Sequence, residues 1–493
     1  MMSGATDELI GAAIAVGGFV IHLSTVLRAI TRPNRTPASR VAWIAAIMCL
    51  PALGVIAYLF LGETSIGRDR AQRLRDAESR LAIPGGAAAE PGDPVAATVS
   101  ELCRSVNGFG PTPGNRVELL GDPSASPAEP ARDSDAAIRE LIAAFDAATD
   151  HIHLSFYIWL DDENGGRVAD AISAAARRGV ACRVMADALG SRDFIRGPRW
   201  RQLREAGVQL LASLEDIPRL GRLAAGRVDL RNHRKLVVID NRVAFCGSQN
   251  CADPQFLVKA KYAPWIDVLL RCEGPVVRQA QHLFLATWIA ETGEELYGLP
   301  AAAPEPEQHP GGVVAQMFGT GPTTPGNAMS DAFVSALYAA EHELIITTPY
   351  FVPDEALLRA LCTAPRRGVD TTLIVPARND SALVAAASRS TYSDLLICGV
   401  RLFEYPLGLL HTKTITIDGR IALVGSANMD RRSLELNFEN NLLILDPGRT
   451  ATIRERQLGY LSQSNAIEAA AIKARPFHTR LVGDVIGMAS PLL

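Results

Sequence analysis

The stretch Arg231-Asn232-His233-Arg234-Lys235, running on through Leu236-Val237-Val238-Ile239 to Asp240, is echoed once more in this chain. The echo, His411-Thr412-Lys413 running on to Asp418, keeps His, Lys and Asp at the same spacing. The tails match too: Gly247-Ser248-Gln249-Asn250 follows the first copy and Gly425-Ser426-Ala427-Asn428 follows the second at the same offset. A lone H-x-K is a weak signal, whereas two copies with matched tails identify an internal repeat that carries chemistry.

Both runs, Lys235 to Ile239 and Thr412 to Ile417, are apolar and β-branched, so each motif is expected on a strand. The i, i+2 spacing then turns His and Lys to one face. Asp418-Gly419 and Asp240-Asn241 are hairpin signals, with return strands at Val243 to Cys246 and Ile421 to Val424. That return brings Ser248 and Ser426 back beside the motifs, where hydroxyls and N–H groups suit an anion, the more so at a helix start. Two such copies facing each other form a symmetric cationic pocket suited to phosphoryl transfer without metal. One imidazole attacks phosphorus, the other protonates the leaving oxygen, and Lys235, Lys413, Asn250 and Asn428 neutralise the phosphate. A histidine nucleophile needs an acceptor on its second nitrogen, for which Asp267 and Glu439 are the candidates.

The fold follows from what surrounds the motifs. Helical periodicity at Ala136 to Ala148, a strand at Ile152 to Trp159, a helix at Val168 to Arg178 and a strand at Val180 to Ala186 precede the first copy. Helices at Asp331 to Glu341 and Glu355 to Arg366, with strands at Leu344 to Tyr350 and Thr371 to Val375, precede the second. Arg177-Arg178-Gly179-Val180 and Arg366-Arg367-Gly368-Val369 hold the same place in each. The expectation is an α/β protein of two tandem repeats with mixed or parallel sheets covered by helices, sharing one active site. Residues 135–308 and 309–493 form the repeats, with a junction at Pro304 to Gly312.

Ahead of them, Leu9 to Leu27 and Val41 to Leu61 are apolar runs long enough to span about 30 Å of hydrocarbon. Residues 1–62 therefore read as a two-helix transmembrane hairpin around a basic loop (Arg28, Arg32, Pro33, Arg35, Arg40), and 63–134 as a charged helix and linker broken by one strand at Val117 to Leu120. The basic loop argues for a cytoplasmic loop and an external catalytic part. The arginines after the second span and the absence of disulfide spacing argue the other way. Cys246 and Cys251 are the one pair whose position flanks a motif. The net charge of −4, with no basic stripe, gives no sign of a nucleic-acid partner. Only five lysines are present, and the two motifs hold Lys235 and Lys413.

With these residues the chain resembles the phospholipase D superfamily, whose signature is H-x-K-x4-D followed by G-S-x-N, usually twice. The resemblance narrows to bacterial cardiolipin synthases through Arg40-Val41-Ala42-Trp43, Tyr157-Ile158, the Asp187 to Ser191 stretch, Thr348 to Pro353, Asp430 to Leu434 and the closing Ser490 to Leu493. It departs from the family at Ser248 and Ile266, which bear on donor and acceptor preference. The resemblance implies a catalytic set of His233, Lys235, Asp240, His411, Lys413 and Asp418, with Ser248, Asn250, Ser426 and Asn428 supporting phosphate and Asp267 and Glu439 orienting the histidines. It also implies a phosphohistidine intermediate, no metal or other cofactor, and a multi-pass protein of the bacterial inner membrane. The implied reaction is phosphatidyl transfer between two phosphatidylglycerol molecules, giving cardiolipin and glycerol. The alternatives are a phospholipase D-type hydrolase, a synthase using another donor, or a nuclease of the same fold.

Overall fold

A computed structural model of the chain describes residues 2–32, 35–62, 66–84, 91–121, 130–215, 227, 229–299, 306–324, 326–473, 481 and 485–487. Pro33, the Gly85 to Ala89 stretch, Pro304 and the closing Ser490 to Leu493 fall outside those residues. The chain divides into two compact units, one of residues 1–68, 216–230 and 488–493, the other of residues 69–215 and 231–487.

In the first unit, Met2–Thr31 is one helix whose segment Ile10–Thr31 is long and apolar enough to cross a membrane. The second apolar run differs from expectation. It forms two shorter helices, Pro37–Cys49 and Pro51–Leu61, because Pro51 disfavours helical dihedrals at Leu50, whose φ and ψ are −130° and 71°. The turn is tight enough that Gly54 lies against the backbone of Ala46 and Ile47, where a Cβ would collide. Ala29, Trp43, Ile47, Val55 and Tyr58 pack these helices together.

The second unit is built on a 15-stranded mixed sheet. On one side His151–Phe156, Ala181–Asp187 and Gln209–Ser213 run parallel, as β-α-β crossovers require. Lys235–Ile239 pairs antiparallel with His151–Phe156, then Val243–Gly247, Leu269–Glu273 and Thr112–Leu119 follow in order. The other side repeats this order with Arg401–Tyr405, Asp370–Pro376, Glu343–Thr347, Thr414–Ile417, Ile421–Gly425, Glu439–Leu445 and Val313–Thr320. The halves join where Thr112–Leu119 meets Val313–Thr320. The two tandem α/β repeats are therefore present as one continuous sheet, each with its own apolar core.

Local signals explain most boundaries. Glu163–Arg177 starts earlier than its apolar periodicity because the Asp162 side chain accepts from Gly165 N at 2.9 Å, and Gly179 ends it at φ +97°. The linker read within 63–134 needs correction: Pro94–Asn107 is a helix, capped by Asp93 and closed by Gly108. Its Ala96, Val99 and Cys103 lie on one face and enter the core of the second repeat.

Both hairpins turn through left-handed residues, Asp240-Asn241 and Asp418-Gly419. Their aspartates also tie the turn to the segment before the neighbouring strand. Asp240 accepts the N–H groups of Thr149, Asp150 and His151, each at 2.8 Å, and Asp418 accepts those of Glu341, His342 and Glu343. These aspartates stand at the opposite end of their strands from Lys235 and Lys413, about 16 Å away for five extended residues. The inclusion of Asp240 and Asp418 among the catalytic residues is thereby corrected, since their carboxylates are saturated by backbone donors.

Burial raises the pKa of both carboxyls, but the backbone N–H donors outweigh it and hold both below the ordinary carboxylate value. A depressed folded pKa contributes stability above the unfolded value of about 3.9, and that stability is lost as pH falls through the folded value. Asp240→Asn or Asp418→Asn should cost about 1–3 kcal/mol, the scale of a charge-assisted hydrogen bond. Turnover of the folded fraction should stay within a few-fold. Thermal melts from pH 7 to 3, with assays well below the transition, check both statements.

Candidate active site

Each motif pairs with the other repeat before its side chains are considered. Leu409–Leu410 runs parallel to Trp265–Ile266, Leu409 N donates to Pro264 O at 2.9 Å, and His411 N donates to Ile266 O at 2.8 Å. On the other side Asn232 bridges Phe438: Phe438 N donates to Arg231 O and His233 N to Phe438 O, both at 3.0 Å. These two short ladders cross between the repeats.

The ladders set the side chains. His411 Nδ1 lies 2.7 Å from Asp267 Oδ1, and His233 Nδ1 lies 3.0 Å from Glu439 Oε2. Each imidazole is thus oriented by the carboxylate of the opposite repeat, leaving its Nε2 as the nitrogen available for chemistry. The serines hold the carboxylates: Ser248 Oγ donates to Asp267 at 2.6 Å and Ser426 Oγ to Glu439 at 2.5 Å. Each hydroxyl also accepts a backbone N–H, from Val268 and Asn440 respectively. Gly247 and Gly425 are needed beside them, because a Cβ would collide with Val268 O in one copy and Asn440 O in the other.

Lys235 Nζ donates to His233 O at 2.8 Å and Lys413 Nζ to His411 O at 2.6 Å, so each ammonium sits beside its own histidine. Burial is the main cause of the depressed pKa values here. It brings both imidazoles to about 4 against the pull of their carboxylates, so both are neutral at pH 7. Burial, reinforced for Lys235 by Lys413, lowers the ammonium of Lys235 to about 7, while burial lowers that of Lys413 to about 8. Asp267 and Glu439 remain ionised, because their histidine and lysine neighbours outweigh the opposing cost of burial. Asn250 Nδ2 and Asn428 Oδ1 are buried with no hydrogen-bond partner, and of the two only the Asn250 donor, as placed, suits an anion. Among the described residues no cluster of three or more His, Cys, Asp or Glu side chains is placed to hold a metal ion.

A family model described as "Cardiolipin synthase, PLD-like domain" matches residues 141–281 and 333–458, and one described as "Phospholipase D-nuclease N-terminal" matches 20–63. Cardiolipin synthase A of Cronobacter sakazakii is 37% identical over 489 residues, 97% of this chain and 98% of that protein. The protein of the same name from Klebsiella pneumoniae is 37% identical with the same coverage. The chain belongs to the phospholipase D-like cardiolipin synthase family. Among solved structures, a phosphatidylserine synthase from Haemophilus influenzae Rd KW20 shares the fold, with a TM-score of 0.56 at 15% identity, over 80% of this chain and all of that one.

In this cardiolipin synthase-family chain ten of the twelve expected site residues gather at the crossed ladders, and Asp240 and Asp418 do not. The serines are corrected in role, since their hydroxyls serve Asp267 and Glu439 and their N–H groups bond to Val268 O and Asn440 O. No helix begins at Ser248 or Ser426 to gather an anion. Aromatic walls were missed as site residues: Tyr157 lies 4.8 Å from the His233 ring, and Trp265 and Tyr350 lie 4.7 and 6.2 Å from that of His411. Tyr157 and Tyr350 follow equivalent strands of the repeats, and aligning those strands would have found them. Arg234, between His and Lys, points the other way. Its guanidinium donates to Glu439 O, Leu283 O, Thr287 Oγ1 and Thr320 O, tying the repeats together behind the site.

Asp267→Asn and Glu439→Gln should each lower kcat/KM by about 10³- to 10⁴-fold, as when a buried carboxylate that fixes a catalytic tautomer is replaced. Far-ultraviolet circular dichroism should be unchanged, and the double variant should be little worse than either single one. A lysine of lowered pKa is cationic below that value and loses charge above it. Hence kcat/KM of the wild type should decline as pH rises through about 7 to 8; a flat profile to pH 9.5 would contradict this.

Proposed function

We propose that the chain transfers a phosphatidyl group between two phosphatidylglycerol molecules, giving cardiolipin and glycerol. The observation that carries the reading is the pair of crossed carboxylate–imidazole contacts in one buried site, in a chain similar over nearly its whole length to proteins named cardiolipin synthase A.

In the first half-reaction Nε2 of one histidine, His233 or His411, attacks phosphorus. The P–N bond forms, the P–O bond to glycerol breaks, and the other histidine gives its proton to the departing oxygen. In the second half-reaction a hydroxyl of another phosphatidylglycerol attacks phosphorus, its proton passes to that histidine, and the P–N bond breaks. Charge balance accounts for the general acid. With Lys235 and Lys413 protonated, their ammoniums offset the carboxylates of Asp267 and Glu439, and both imidazoles are neutral. A phosphodiester adds one negative charge, which raises the imidazole pKa values and recruits one proton. The lysine ammoniums and the amide N–H groups of Asn250 and Asn428 donate to the phosphate oxygens as charge builds. Residues 1–62 anchor the chain as a multi-pass hairpin in the bacterial inner membrane, where both lipids already reside.

Purified full-length protein in vesicles of glycerol-labelled phosphatidylglycerol should release one labelled glycerol for each cardiolipin formed. Phosphatidic acid without cardiolipin would instead identify a hydrolase. His233→Ala and His411→Ala should each abolish turnover, because the two copies make one site, and half-activity in either variant would refute the pairing.

A further inference from the structure

We infer that the rim of the active site is itself a lipid-docking face, separate from the N-terminal anchor, with the segment Leu257–Tyr262 as its main contact with an anionic bilayer. This rests on the proposed reaction for its substrate but on separate residues for its evidence. Leu257 and Val258 are 74% and 65% exposed, among the most exposed large apolar side chains of the catalytic unit. No acidic residue occurs from Pro254 to Ile266, and Lys259 and Lys261, two of only five lysines in the chain, stand exposed beside them. Aliphatic tips beside the Lys261 ammonium, with Lys259 held by Asp380 at their side, match acyl chains below phosphate headgroups.

The segment is fixed to the site on both flanks. Phe256, preceding it, stacks on Trp265 at 3.9 Å between ring centroids, and Trp265 packs on His411. Lys259 Nζ lies 2.5 Å from Asp380, which accepts from the Tyr350 hydroxyl at 2.7 Å, so a loop of each repeat is clasped at the rim.

Three further exposed leucines stand close in sequence to residues that approach the catalytic histidines. Leu189 lies in the turn whose Gly190 abuts Tyr157, the ring beside His233. Leu383 opens the helix that follows Asp380, and Leu407 precedes the Leu409–Leu410 ladder to His411. Each of these exposed aliphatics thus lies within a few residues of a group that packs toward His233 or His411, the placement a lipid-facing rim requires.

The test uses full-length protein and the double variant Leu257→Ser/Val258→Ser, whose side chains are exposed and outside the catalytic set. The variant should lose at least tenfold in turnover of long-chain phosphatidylglycerol in vesicles and stay within twofold of wild type on monomeric dihexanoyl phosphatidylglycerol. Equal losses on both substrates, or none on either, overturn the proposal. Hydrogen exchange of residues 256–262 should slow in vesicles containing phosphatidylglycerol relative to phosphatidylcholine alone, and unchanged exchange also overturns it. Exchange needs no turnover, so failure of wild type to make cardiolipin would refute the proposed reaction and leave docking separately judged. A change in oligomeric mass in the variant, with unchanged exchange on vesicles, would assign the face to a second copy of the chain instead.

Discussion

Two short runs of backbone hydrogen bonds, His411 to Ile266 and His233 to Phe438, are the constraint on which the site depends. Each joins the motif of one repeat to the strand that carries the carboxylate of the other. An imidazole that must be nucleophile, acid and base in turn needs its ring held within a few tenths of an ångström. A salt bridge between two free side chains would not hold it that well. Here backbone pairing sets the distance first, and the carboxylate contact follows. Arg234 reinforces the arrangement from behind by donating to the carbonyl of Glu439 itself, so the group that orients His233 is held by backbone as well as side chain.

The same burial that fixes the geometry sets the electrostatics. Two ammoniums in a dry pocket would be costly without nearby anions, and the crossed carboxylates serve as those anions as well as orienting the rings. The serines divide the labour further. By donating to Asp267 and Glu439 they help keep the carboxylates ionised, and Asn250 Nδ2 is among the neutral donors left without a partner. A site with no net charge from its paired groups binds a phosphodiester through local alignment of ammonium and amide rather than through overall attraction. That fits a chain with a net charge of −4.

Much of this was legible in the sequence because repetition is a global signal. The matched H-x-K motifs, the paired Arg-Arg-Gly-Val turns and the alternation of strands and helices gave the two repeats and most site residues. What was not legible follows from the range of the forces involved. Which carboxylate serves which histidine depends on contacts between residues 144 and 206 positions apart, and no local pattern encodes that crossing. Asp240 and Asp418 share the motif's spacing, so sequence groups them with the histidines although the strand carries them away from the pocket. The helix Pro94–Asn107 was hidden in a Pro- and Ala-rich stretch, though Asp93-Pro94 is a helix start and Val95, Val99 and Cys103 recur at helical spacing. Pro51 stood in plain view, but the apolar run around it outweighed its effect on Leu50.

On the proposed reaction, one phosphodiester is exchanged for another, and the attacking and leaving groups are both glycerol hydroxyls. The two half-reactions are then near mirror images, which is what a site with two near-equivalent histidine–carboxylate pairs can serve: the histidine that protonates the departing glycerol is already placed to deprotonate the next. Such an exchange has little intrinsic driving force, because the bonds broken and formed are alike. Direction must come from mass action, with glycerol escaping to water while the lipid product stays in the membrane. A buried site opening through the inferred apolar rim favours transfer over hydrolysis. It limits the water that would divert the intermediate to phosphatidic acid, and it presents the intermediate to the phase where the acceptor lipid is concentrated.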